Sequence, residues 1–258
     1  MRPFAARFRT PQVRAASSVH DAAFPVISIG SVKSAGTSTL ALTIGSASAS
    51  TRTPVLLIDA GNTRDLSTWA SKPGKPTQIE VARCDKTTQL AGLVREGIER
   101  RAVVIIDAGT RPDILRAAAR LADTVLIPLR FSPLSAFAAS LTDELLANEV
   151  RGTKTRRCFV ASAIAQIPSR IARAVEAEVE RSTTERLPIG LAQRAAYEAT
   201  FMFGGTVFTL GENTAPGLDR AQEEAKAMAA ELGVLHSPGS MLASRISHTI
   251  RLDRREAA

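Results

Sequence analysis

The sequence predicts an α/β domain, a Rossmann-like layered fold with a mostly parallel sheet flanked by helices. Three observations carry that expectation. Apolar runs rich in Val, Ile and Leu recur at residues 25–29, 54–59, 77–82, 102–107, 124–129 and 157–164. Continuous runs of this kind suit strands buried on both faces. Helix-length stretches lie between them, at 38–50, 87–100, 114–122, 133–148 and 169–181. Strand–helix alternation builds a parallel sheet with helical cover. Third, the segment SVKSAGTST, residues 31–39, falls between the first run and the first helix, where a phosphate-binding loop belongs.

The elements justify themselves in order. PVISIG opens the sheet, and the Ala/Ser-rich helix after it fits close packing rather than low complexity. The second and fourth runs end in Asp59 and Asp107. Right-handed crossovers bring the carboxyl ends of parallel strands to one edge, and ligands bind at that edge. Asp59, Asp107 and the 31–39 loop therefore converge. Near the end, residues 216–232 read as an amphipathic helix with Leu218, Ala221, Ala225, Met228, Ala229 and Leu232 on one side. Trp69 and Tyr197, each the only residue of its kind, read as core or switch-loop packing.

Bulk composition bounds the rest. The 258 residues suffice for one large domain or two small ones, and 45% apolar content supports a buried core. No run approaches the ~18 apolar residues that span a membrane. Cys84 and Cys158 are far apart, and the three histidines are scattered. These exclude a disulfide framework and a Cys/His metal cluster. A reducing cytoplasm is the expected home. The net charge of +8 favours anionic partners. Residues 1–23 carry Arg2, Arg7, Arg9 and Arg14 and no acid before Asp21. They imitate a mitochondrial transit peptide but are read as a flexible basic arm. Residues 24–235 form the domain, and 236–258 form a basic tail.

The loop departs from the working pattern G-x-x-x-x-G-K-[ST]. With Gly36 as its last glycine and Ser38 and Thr39 as the hydroxyl pair, Thr37 takes the lysine position. The lost charged hydrogen bond costs roughly 1.5–3 kcal/mol, about ten- to a hundredfold in affinity. The cost to phosphoryl transfer is greater, because charge neutralisation is most of that catalysis. The segment reads either as a phosphate loop stripped of its lysine or as a turn rich in small residues.

Several segments together resemble the ParA/MinD group of deviant Walker-type ATPases, and more closely its small ParA-like members. VISIGSVKSAGTSTLAL stands where that family has its strand, deviant loop and helix. VLLIDAGNTRDLSTWA, AVVIIDAG, ADTVLIPLRFSPLSAFAA and LPIGLAQRAAYEATFMFGGTVFTL follow in the family's order. The likeness covers about residues 24–235, and the LSTW segment is also similar to the ParA-like protein of T-DNA transfer. The resemblance implies a P-loop NTPase fold, ATP and Mg²⁺ as cofactors, and a nucleotide site at Lys33, Gly36, Thr37, Ser38, Thr39, Asp59 and Asp107. Ser38 and Asp107 would serve the metal.

Two departures bear on turnover. Val32 occupies the position of the family's bridging lysine, with Lys33 one residue out of register, and Gly61 replaces the second aspartate, which positions water. Asp65 lies four residues later and is not assumed to substitute. No residue is therefore assigned a catalytic role, and the expected protein is a pseudo-ATPase that positions or partitions DNA, a plasmid or another large cargo. One alternative is an active ATPase that uses Lys33 or a partner's residue. Another is a MinD-like adaptor on a membrane surface, for which Met241, Leu242, Ile246 and Ile250 would supply an apolar face. An iron–sulfur reductase of the related type is excluded by the missing cysteine ligands. Family members bind DNA without sequence preference, which places Arg151, Lys154, Arg156 and Arg157 on DNA phosphates. Arg170, Arg173, Arg181 and Arg186 form a second basic cluster, interleaved with Glu176, Glu178 and Glu180. The implied partners are non-specific DNA, a cargo adaptor or an active ParA-type protein, and a second copy of the chain. The implied setting is the cytoplasm, on the nucleoid.

Overall fold

The computed structural model describes residues 24–33 and 35–235. The arm expected at 1–23, the tail at 236–258 and Ser34 lie outside the described residues. Seven strands form one sheet: β1 (Val26–Gly30), β2 (Val55–Asp59), β3 (Ile79–Arg83), β4 (Val103–Gly109), β5 (Thr124–Leu129), β6 (Arg156–Ala161) and β7 (Glu185–Arg186). Their order is β3-β2-β4-β1-β5-β6-β7, and every pairing is parallel. Eight helices accompany them among the described residues: α1 (Thr37–Ser50), α2 (Asp65–Ala70), α3 (Thr87–Glu99), α4 (Pro112–Leu121), α5 (Pro133–Ala147), α6 (Arg170–Glu180), α7 (Ala195–Phe203) and α8 (Leu218–Glu231). The layered α/β expectation holds.

Strand periodicity divides the core into two layers. Ile27, Ile29, Leu57, Val103 and Ile105 face one side, packing with Leu40 and Ile44 of α1 and Ala225 and Met228 of α8. Val26, Leu56, Ile58, Val104 and Ile106 face the other, with Leu90 of α3 and Ile114 and Leu115 of α4. Each fully buried Ile or Leu contributes about 1.5–3 kcal/mol. Alternate residues pointing to opposite faces explain why the runs are apolar throughout.

Helix α1 is buried from Leu40 to Ala49, as its small residues foretell. A Cβ on Gly45 would lie 2.9 Å from Leu57 Cδ2, so the helix sits directly on β2. Ser46 and Ser48 return their hydroxyls to the carbonyls of Leu42 and Ile44, which satisfies them without water. Helix α8 buries Leu218, Ala221, Ala225, Met228 and Ala229, the face read from the sequence.

Three elements escape the sequence reading: α2, β7 and α7. Helix α2 has six residues and β7 two, too short for a period to emerge. The run at 157–164 ends as a strand at Ala161. Ala163 takes φ 48°, which turns the chain away, and Ile164 makes only an isolated bridge to Ala192. Trp69 and Tyr197 are both core residues, 1% and 5% exposed. Trp69 donates Nε1–H to the Gly205 carbonyl at 2.7 Å.

Candidate functional site at the carboxyl edge of the sheet

The loop between β1 and α1 is held at both ends by the scaffold. Ser31 N–H donates to the Gly109 carbonyl at 3.1 Å. Val32 N–H donates to Thr142 Oγ1 of α5 at 3.0 Å. At the far end, Ser162 Oγ donates to the Ala35 carbonyl at 2.7 Å and also lies 3.3 Å from the Leu129 carbonyl, where β5 ends. Gly36 then turns through φ 87°, ψ 34° into the first residue of α1. A left-handed turn of this kind is available to glycine at little cost. The first backbone N–H groups of α1 point out of the helix with no intrahelical acceptor.

Ser38 and Asp107 come together as expected. Ser38 Oγ donates to Asp107 Oδ2 at 2.5 Å and lies 3.3 Å from Asp65 Oδ2. One hydroxyl proton serves the nearer oxygen. Asp107 is 1% exposed, and burial pushes its carboxyl up to about 6. The hydroxyls of Ser38 and Thr37 oppose that rise, and the neighbouring Asp59 charge adds to it. Asp59 and Asp107 are register partners on β2 and β4, so two acids share the edge.

Asp59 does not face the cleft. It is fully buried, and its Oδ2 accepts from Ser67 N–H at 2.8 Å and Ser67 Oγ at 2.6 Å. Its Oδ1 pairs with Arg83 Nη1 at 3.1 Å, and that nitrogen also donates to the Gly61 carbonyl at 2.6 Å. Asp59, expected at the nucleotide, here braces the 61–67 segment through Ser67 and Arg83. Lys33 is exposed and lines neither of the clefts described next.

Two clefts meet at Gly36, Thr39 and Arg130. One, of about 410 Å³, is polar and includes Thr37, Ser38, Asp65, Asp107 and Gly109 among its lining. The other, of about 290 Å³, runs past Leu40, Ala163, Leu191, Tyr197 and Phe201. Thr37, at the lysine position, is 8% exposed, and its hydroxyl is directed to Asp107. Gly61 presents open space: a Cβ there would meet nothing nearer than Asp59 Oδ1 and Gly109 Cα, both 3.9 Å away.

Sequence reasoning missed Arg130 and left Asp65 without a role, although both line the polar cleft. Asp65 opens α2 and is held by Thr63 Oγ1 at 2.8 Å. Arg130 follows the last residue of β5. The rule that placed Asp59 and Asp107 at the carboxyl edge also places an arginine directly after a strand there.

The four expected DNA contacts differ in their surroundings. Arg151 and Lys154 are exposed, and Arg151 donates to Asn148 Oδ1 at 3.0 Å. Arg156 pairs with Glu185 at 3.0 Å and Glu231 at 3.8 Å. Arg157 pairs with Asp143 at 2.7 Å. In the second cluster, Arg186 pairs with Glu176 and Glu180, and Arg181 pairs with Glu178. No helix among the described residues is long and apolar enough to cross a membrane. No group of three metal-ligating His, Cys, Asp or Glu side chains occurs among them either.

No family model matches the chain. A curated relative, the protein ParA of Rhizobium radiobacter, is 28% identical over 212 residues, which covers 79% of this chain and 96% of ParA. Among solved structures, an ATP complex of a Cyanothece McdA variant superposes with a TM-score of 0.64 at 17% identity. It covers 83% of this chain and 98% of McdA. The cell division protein MinD of Aquifex aeolicus gives 0.62 at 16% identity, with 80% and 97% covered. The parallel seven-stranded sheet, the glycine-turned loop at its edge and the likeness to ParA along most of the chain give this protein a fold similar to that of ParA, McdA and MinD.

Proposed function

We propose that this chain positions or partitions DNA, a plasmid or another large cargo, and that it holds ATP and Mg²⁺ as a conformational ligand with little or no turnover. The observation that carries the reading is the contrast within one cleft. Phosphate and metal binding are supported by the Gly36 turn, the open first turn of α1, and the Ser38 hydroxyl beside Asp107. The groups that speed transfer are replaced by Thr37, folded onto Asp107, and by Gly61, which has no side chain.

The donor set fits the implied cofactor. Hydroxyl and carboxylate oxygens are the ligands that Mg²⁺ prefers, usually alongside retained waters and substrate phosphates. Ser38 and Asp107 would hold the ion, and Thr39 and the α1 N–H groups would receive phosphate oxygens. The ion would neutralise phosphate charge when bound. The apolar cleft past Leu40 and Tyr197 adjoins this region through Gly36 and Thr39 and suits a nucleobase. Calorimetric titration with ATP and Mg²⁺ tests binding, and phosphate release in the presence of DNA tests turnover. Submillimolar binding with negligible release supports the reading. Release at a rate typical of ParA-type ATPases refutes it.

DNA contact on this reading falls first to Arg151 and Lys154, which are exposed, because Arg156 and Arg157 already have carboxylate partners. Such binding is electrostatic and weakens steeply with salt. The location on this reading is the cytoplasm, on the nucleoid, with a cargo adaptor, a ParA-type protein or a second copy as partner. An active ATPase is the second reading. Asp65 favours it, because this acid lines the phosphate cleft that Gly61 leaves open.

A further inference from the structure

We infer that Arg130 supplies the phosphate-facing positive charge that the loop lysine would provide, reaching the cleft from the end of β5 instead of from the first turn of α1. The inference rests on the reading of this cleft as a nucleotide site and names the residue that lets it accept a polyanion.

The charge inventory of the cleft comes first. Its lining carries two acids, Asp65 and Asp107, and a single cation, Arg130. A triphosphate entering beside two carboxylates with no cation would be repelled. The other arginines near this edge are engaged elsewhere. Arg83 pairs with Asp59 and Asp85, Arg64 with Asp85, and Arg111 with Asp113. Among the described residues, Arg130 has no carboxylate within ion-pair distance, and its side chain is exposed.

Its backbone, in contrast, is fixed. Arg130 N–H donates to Ser135 Oγ at 2.9 Å, and the Arg130 carbonyl accepts from Ser132 N–H at 2.7 Å. Strand β5 is the direct neighbour of β1, whose end carries the loop. Ser162 contacts the carbonyls of both Leu129 and Ala35, so the residue before Arg130 is tied to the loop itself. An anchored backbone with a free guanidinium, at the place where both clefts meet, matches what phosphate recognition needs. The planar fork of arginine contacts two phosphate oxygens at once. Thr37 can then be spared for Asp107.

The test is equilibrium binding of ATP, ADP and adenosine, each with Mg²⁺, to the full chain and to Arg130→Gln, Arg130→Lys, Thr37→Lys and the Thr37→Lys/Arg130→Gln double variant. Arg130→Gln is expected to weaken ATP about ten- to a hundredfold, as for loss of a charged hydrogen bond, and to leave adenosine unchanged. Arg130→Lys should retain most of the affinity. Thr37→Lys placed on Arg130→Gln should recover it, because the charge returns from the loop side. An ATP affinity unchanged in Arg130→Gln, or an equal loss for adenosine, overturns the inference while leaving the nucleotide site standing. No binding of any nucleotide to the parent chain overturns both. Melting curves establish that each variant is folded, as the exposure of Arg130 leads one to expect.

Discussion

Asp107→Asn should make the metal-free protein more stable at neutral pH relative to the parent and less so in acid. The buried Asp107 carboxyl titrates near about 6 instead of its ordinary 3.8. Between those values the folded chain holds a proton that the unfolded chain has released. Stability therefore falls as pH rises through this window. At 1.36 kcal/mol per pH unit, the raised value corresponds to about 3 kcal/mol of strain fully present at pH 7. Asparagine carries no charge and removes that slope. It also loses something: Gly109 N–H donates to Asp107 Oδ1 at 3.1 Å and Ser38 donates to Oδ2, and an amide offers only one oxygen. That loss costs about 1 kcal/mol at every pH. The variant should thus start less stable than the parent near pH 4 and end about 2 kcal/mol more stable at pH 7. Urea unfolding of both proteins in EDTA, across pH 4 to 7.5, measures the difference directly. A difference that does not change with pH would refute the reasoning. EDTA is needed because a bound cation favours the ionised carboxylate and reverses the sign.

Other outcomes follow from the same geometry. Gly109 sits at φ 59°, and a Cβ there would lie 2.8 Å from Gly61 Cα. Gly109→Ala should lower stability by about 2 kcal/mol or more, read as a shifted urea midpoint. A Cβ at Gly61 meets no close contact, and Gly61→Asp combined with Thr37→Lys should raise phosphate release above the parent rate if those two positions limit turnover. Ser162→Ala removes the hydroxyl that joins Ala35 to Leu129 and should cost about 1 kcal/mol of stability and weaken ATP binding in titration. Arg151→Ala and Lys154→Ala should each reduce the slope of log DNA affinity against log salt by about 1, measured by anisotropy with mixed-sequence duplex.

The sheet could be read from the chain because its strands are apolar on both faces. VISIG and VLLID announce themselves without any long-range information. The same holds for α1 and α8, whose small and apolar residues mark the packed side. Helix α2 could not be read this way, since six residues hold less than two turns. At the site, sequence position brings Ser38 and Asp107 to one edge, where they meet, because both sit on rigid elements whose register follows from the fold. Asp59 shows the limit of that reasoning. It shares a register position with Asp107, yet Arg83 and Ser67 from β3 and α2 claim its oxygens. Which acid lines the cleft depends on neighbours distant in sequence. The same dependence left Asp65 without an assigned role in the sequence; it lines the cleft at the start of α2, next to Arg64 at φ 56°.

The attachment of the loop to Thr142 and Ser162 has an evolutionary consequence. A loop whose contour depended on its anion would collapse once the lysine was lost, and the lineage would lose the pocket with the chemistry. Here side chains from α5 and the end of β6 keep the contour whether or not anything occupies it. A charge added to or removed from the loop would therefore leave the fold intact. The residues of a loop braced from outside in this way say little about its shape.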